Sequence, residues 1–170
     1  MLFQMLMPPK YFMKPGYILV PNCPTSISTV LGSCVSVCLF DGSLKAGGMN
    51  HFQFPSTKQS GKRTARYGDV STLTLIRLMI ENGSDSANIV AQVFGGAYDA
   101  NFSAWNVGLE NVHMARKILS DKGIPIVSQD VGGKKGRKII FNTRTNEIEI
   151  LRVAKIHKNE WFPNERECQP

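Results

Sequence analysis

The chain has 170 residues, 42% of them hydrophobic, and a formal net charge of +7. That length suits one domain able to bury a core without covalent staples, and no apolar run is long enough to cross a bilayer. Four cysteines without a paired CxxC motif and three scattered histidines exclude a zinc set of ordinary spacing, and reduced thiols are expected.

In chain order, the Met-rich start lacks a basic leader region and runs straight into prolines. Residues 1–15 are therefore expected to be an irregular extension, and the protein to stay in the cytoplasm. Tyr17 to Val20 forms a short strand candidate closed by Pro21-Asn22. Ser28 to Phe40 is rich in β-branched and small apolar residues, with a bend or bulge expected at Gly32. Ala46 to Phe52 reads as the returning strand after the Asp41-Gly42 turn, and it carries His51. A polar, basic loop follows to Gly68. Asp69 is the expected N-cap of a first helix whose apolar residues include Leu73, Ile76, Leu78, Met79 and Ile80, with Asn82-Gly83 as its stop.

Asn88 to Phe94 is a buried strand ending at Gly95-Gly96. A second helix over Gly108 to Asp121 places Val112, Ala115, Ile118 and Leu119 on one face. Three more strands are expected at Ile124 to Ser128, Lys138 to Phe141 and Glu147 to Val153, with a hairpin-like loop before the second of these. The pattern defines a single α/β domain (α+β layered) over 16–156, with mixed sheet layers and both helices on one face. Residues 157–170, with Trp161-Phe162, form a charged tail.

Cys34 is the candidate nucleophile, because it follows the small residues Gly32 and Ser33 and precedes a strand carrying the candidate base His51. Core packing is the competing reading of any cysteine in an apolar run, and Cys38 shares the parity of Cys34. The basic runs Lys58 to Arg66 and Lys134 to Lys138 lack interleaved aromatics, so nucleic acid is not expected as a partner. Gly132-Gly133-Lys134-Lys135-Gly136 precedes a strand and lacks P-loop spacing, which argues against nucleotide binding. His113 lies in the second helix without an acid or metal partner in sequence and is expected at the surface.

Four ordered blocks resemble the CheD family of bacterial chemoreceptor glutamine deamidases: Leu31 to Val37, Gly47 to His51, Phe94 to Ala97, and Asp130 to Gly133 with Gly136-Arg137-Lys138. The likeness runs from about Gly16 to Leu151. It implies a Cys-His-Thr group similar in logic to that of papain-like proteases and deamidating toxins, with Cys34 as nucleophile, His51 as base and no metal or organic cofactor. The family's hydroxyl residue falls at Ser28 here, with Thr29 adjacent, and strand alternation turns only one of the two toward His51. Ser33, Asn50, Phe94, Gly95 and Gly96 are expected to line the substrate. Phe52-Gln53-Phe54-Pro55 departs from the family pattern at Gln53. The implied partners are the cytoplasmic helices of methyl-accepting chemoreceptors and, in some members, a CheC-type response-regulator phosphatase. A non-catalytic activator of that phosphatase is the alternative reading, and a generic Cys-His protease or acyltransferase a third.

Overall fold

The computed structural model describes residues 7–156. The strands are β1 (Lys10–Phe12), β2 (Ile18–Leu19), β3 (Ser26–Leu31), β4 (Val35–Asp41), β5 (Ala46–Asn50), β6 (Ile89–Gly95), β7 (Ile126–Val131), β8 (Gly136–Asn142) and β9 (Ile148–Val153), and Val, Ile and Thr are concentrated in β3, β4, β6, β7, β8 and β9. The two amphipathic stretches become α1 (Gly68–Glu81) and α2 (Val107–Asp121). The strands form a four-stranded sheet, β1-β3-β8-β9, and a five-stranded sheet, β2-β5-β4-β6-β7.

Strand alternation makes β4 the hinge of the packing. Val35, Val37 and Leu39 join Leu75, Ile76 and Met79 of α1 and Val112, Ala115 and Leu119 of α2 in one core. From the opposite face, Cys38, Met49 and Phe94 meet Ile27, Leu31, Ile139 and Phe141 of the smaller sheet in a second core. The result is three layers: helices, larger sheet, smaller sheet. Each fully buried Leu, Ile or Phe in these cores contributes about 1.5–3 kcal/mol relative to its exposed state.

Several expectations need correction. The extension at 1–15 is not wholly irregular, since β1 pairs in parallel with β3 and Met13 is fully buried. The Gly32 interruption is more than a bulge: the chain leaves the smaller sheet at Leu31 and re-enters the larger one at Val35. The loop at Gly132-Gly133 is a crossover between the sheets, because β7 and β8 belong to different ones. Tyr67, not Asp69, occupies the N-cap of α1; Asp69 sits in the first turn and pairs with Arg63 at 3.1 Å. Leu73 and Ile80 lie on the solvent side of α1, whose buried face is completed by Ser71 and Thr72. The tail at 157–170, with His157 and Trp161-Phe162, lies outside the described residues.

Candidate active site

The sheet switch at Gly32 sets Cys34 at the seam of the two layers, where His51 and Thr29 also lie. In the larger sheet, Cys38 pairs with Met49 and Val35 with Phe52. The same register puts Ser36 opposite His51, so Cys34 lies one diagonal step from His51 on the same face. That face looks toward the smaller sheet, where Thr29 of β3 points inward. His51 itself falls just after the last residue of β5. Its main chain is held from both sides, the N–H by Tyr17 O and the carbonyl by Gly16 N–H.

Thr29 Oγ1 lies 2.8 Å from His51 Nδ1 and 2.7 Å from Met13 O, and all three atoms are buried. The hydroxyl has one proton, which goes to the Met13 carbonyl. Its lone pair therefore faces Nδ1, so Nδ1 carries the imidazole proton and Nε2 is the basic nitrogen. Ser28, on the opposite face of β3, is half-buried and pairs with Ile140 and Phe12. The hydroxyl beside His51 is that of Thr29.

Burial dominates the electrostatics. Desolvation pushes the Cys34 thiol up to about 12, against the opposing pull of its own backbone N–H and of Arg66. Desolvation likewise lowers His51 to about 3, the Met13 carbonyl opposing it. The resting pair is thus a neutral thiol and a neutral imidazole.

The corner bearing Cys34 is held carbonyl by carbonyl. Ala97 N–H donates to Gly32 O at 2.9 Å, and Gly96 N–H to Cys34 O at 2.8 Å. Between them, Asn111 Nδ2 of α2 donates to Ser33 O at 2.9 Å and also to Gln53 O at 2.9 Å. The Gly95 corner tolerates no side chain: its φ is +108°, and a Cβ there would sit 2.1 Å from Cys34 O. Behind it, Gly132 N–H donates to Gly95 O, while Arg137 ties Asp130 and Gly132 O together at 2.9 and 2.7 Å. This network gives Asp130, Gly132 and Arg137 of the two motifs a structural role.

Of the residues expected to line the substrate, Ser33 is half-exposed beside Cys34, and Gly95-Gly96 form the adjoining corner. Asn50 does not face the site. Its side chain is fully buried on the helix side, accepting from Val37 N–H at 2.8 Å and reaching Thr72. Phe94 is fully buried in the core between the sheets and is packing beneath the site, not a substrate contact. Gln53 takes up Arg66, whose Nε donates to Gln53 Oε1 at 2.6 Å. An open cleft of about 430 Å³ begins at Gly32 and is bordered by Ala97, Tyr98, Phe102 and Lys134. His113 is exposed. Among the described residues, no group of three or more His, Cys, Asp or Glu is placed to hold a metal ion, and no helix is long and apolar enough to cross a membrane.

Sequence reading missed Asn111. Its signal was a lone polar residue on the apolar face that Val112, Ala115, Ile118 and Leu119 define.

Two packed sheets under a pair of helices, with cysteine, histidine and threonine gathered at their seam, define an α/β protein built around a buried Cys-His-Thr constellation. A family model described as CheD chemotactic sensory transduction matches residues 53–152. The chain is 38% identical over 149 residues to the "Probable chemoreceptor glutamine deamidase CheD" of Sulfurimonas denitrificans, covering 86% of this chain and 96% of that protein. It is 44% identical over 133 residues to "Probable chemoreceptor glutamine deamidase CheD 1" of Anaeromyxobacter dehalogenans, covering 77% of each. The like-named protein of Rhodospirillum rubrum is 42% identical over 147 residues, covering 85% of this chain and 83% of that protein. The chain belongs to the CheD family.

Proposed function

We propose that this protein is a chemoreceptor glutamine deamidase that acts through a Cys34 thioester, with His51 as base and Thr29 as the hydroxyl that orients it. The observation that supports this reading is the Met13 O···Thr29 Oγ1···His51 Nδ1 chain, which makes Nε2 the basic nitrogen of an imidazole on the same sheet face as Cys34. Relatives bearing the deamidase name at about 40% identity support the same substrate class.

As Cys34 Sγ attacks the side-chain amide carbon of a receptor glutamine, its proton passes to His51 Nε2. The carbonyl oxygen becomes an oxyanion and takes a hydrogen bond from the Cys34 N–H. Imidazolium Nε2–H then protonates the amide nitrogen, the C–N bond breaks, and ammonia leaves a thioester. Water gives a proton to Nε2 as its oxygen attacks, and the C–S bond breaks. The sulfur regains its proton from the imidazolium, and the product is a glutamate side chain. The neutral resting pair means that both charges appear only during attack.

Mass spectrometry on a chemoreceptor cytoplasmic fragment tests the reading, with wild type and Cys34→Ala incubated side by side. Conversion of specific glutamines to glutamate by wild type alone is the expected result. Conversion by both proteins removes Cys34 from the chemistry. Receptor binding without conversion by either makes the chain a binding partner, and cleavage of the receptor backbone makes it a protease.

A further inference from the structure

The corner that bears Cys34 presents three consecutive carbonyls to the protein interior. Gly32 O and Cys34 O are held by backbone N–H groups of Ala97 and Gly96. Ser33 O is held by a side chain, that of Asn111. Asn111 is wholly buried, yet it lies on the face of α2 where an apolar residue would pack without cost to hydrogen bonding. Its amide orientation is unambiguous. Both Nδ2 protons are used, on Ser33 O and Gln53 O at 2.9 Å each, and a flipped amide would set Oδ1 against two carbonyl oxygens.

A trans peptide points its C=O and the following N–H in opposite directions. Drawing Ser33 O inward onto Asn111 therefore turns the Cys34 N–H outward, toward the space over its own sulfur. Among the described residues no other residue accepts that N–H. The second bond of Asn111 reaches Gln53 O, two residues beyond His51 on the strand exit opposite Cys34. One amide group thus ties the peptide of the nucleophile to the segment of the base.

We infer that Asn111 is a positioning residue for acylation: by holding Ser33 O and Gln53 O it aims the Cys34 N–H at the developing oxyanion and fixes that donor relative to His51. The inference rests on the deamidase reading and adds to it a residue on a different element, acting through the main chain and touching no substrate.

Asn111→Leu keeps the heavy-atom branching, at a somewhat larger volume, and removes both donors; Asn111→Asp keeps the shape and, when ionised, turns acceptors toward both carbonyls. Two rates are compared with wild type at one pH: deamidation of a receptor cytoplasmic fragment, and alkylation of Cys34 by iodoacetamide, which forms no oxyanion. Asn111→Leu is expected to lower kcat about 100-fold, with KM and the Cys34 alkylation rate each within about threefold of wild type. The activity of Asn111→Asp relative to wild type is expected to rise as pH falls, because the neutral acid regains one donor. If Asn111→Leu does not fold, the same ratio of deamidation to alkylation is read on Asn111→Asp. A wild-type kcat in these variants, or alkylation falling in step with deamidation, overturns the inference. A wild-type protein that leaves every receptor glutamine intact instead removes the deamidase reading on which it stands.

Discussion

Thr29 and Ser28 are adjacent hydroxyls on opposite faces of β3, and they separate the proposed geometry from its nearest alternative. Thr29→Val keeps the side-chain shape but removes a fully buried hydroxyl with bonds of 2.7 Å to Met13 O and 2.8 Å to His51 Nδ1. Leaving a buried polar group without its partner costs about 1–3 kcal/mol. The Met13 carbonyl also faces the imidazole and recovers part of that loss, so a cost of about 1–2 kcal/mol is expected. For a chain of this length that lowers the melting point by roughly 2–8 °C. The larger effect is on kcat. Without its anchor the imidazole samples other rotamers and tautomers, and a fall of about 10- to 100-fold is expected, a part of what a positioned base contributes. Thr29→Ser keeps the hydroxyl and should stay within about threefold of wild type. Ser28→Ala, on the half-buried outer face, should change stability by no more than about 0.5 kcal/mol and leave kcat unchanged. Ammonia release from a receptor fragment and thermal unfolding by circular dichroism measure both quantities. If Ser28→Ala costs as much activity as Thr29→Val, or Thr29→Val turns over like wild type, the assignment of the hydroxyl is wrong.

Three further predictions follow from burial and backbone geometry. With the Cys34 thiol held up to about 12, its iodoacetamide rate, resolved from exposed Cys23 by peptide mass, should climb through pH 9 without levelling; a plateau below pH 7 would mean a preformed thiolate. His51, lowered from 6.5 to about 3, contributes stability that is complete above pH 6.5 and is lost as pH falls toward 3, at up to about 1.4 kcal/mol per unit. Urea unfolding of His51→Gln should therefore show a shallower acid limb than wild type, and parallel limbs would refute the assignment. Gly95→Ala places a Cβ 2.1 Å from Cys34 O at a φ of +108° and should cost about 2–4 kcal/mol. Gly133→Ala, with φ +69° and open space, should cost only about 1–2 kcal/mol, and equal urea midpoints for the two would count against the close-approach argument.

What could be read from the residues was whatever local pattern dictates. β-branched runs marked strands β3, β4, β6, β7, β8 and β9, and the apolar stripe of Val112, Ala115, Ile118 and Leu119 marked α2 and its buried face. The Gly32 interruption was visible as a break. That it transfers the chain from one sheet to the other depends on pairing partners a hundred residues away, such as Arg137 opposite Leu31. The same long-range pairing decides the hydroxyl, because the two faces of β3 differ only in which layer each meets. β1 was missed since three residues of Lys-Tyr-Phe carry no periodicity, and only the edge of β3 makes them a strand. Asn50 misled for a related reason. A polar residue beside a candidate base looks like a ligand to substrate, but its amide fills a gap in the β4–β5 ladder at Val37 N–H.

Under the proposed deamidase mechanism, the burial of the site shapes its chemistry. A thiol and an imidazole that are both neutral at rest store little reactive charge, so the barrier depends on what stabilises charge once attack begins. Thiolate content then matters less than the direction of fixed dipoles, which are strong where water is excluded and need no rearrangement during the reaction. The structure places its hydrogen-bonding effort accordingly. Every carbonyl from Gly32 to Cys34 is pinned inward, the Gly95 corner admits no side chain, and Arg137 braces the loop behind it. A preformed thiolate would react with any electrophile and oxidise readily, whereas a protonated thiol is protected until a substrate amide is held against it. On that reading selectivity for one side-chain amide is a property of geometry, which is why the proposal gives weight to a buried asparagine that touches no substrate.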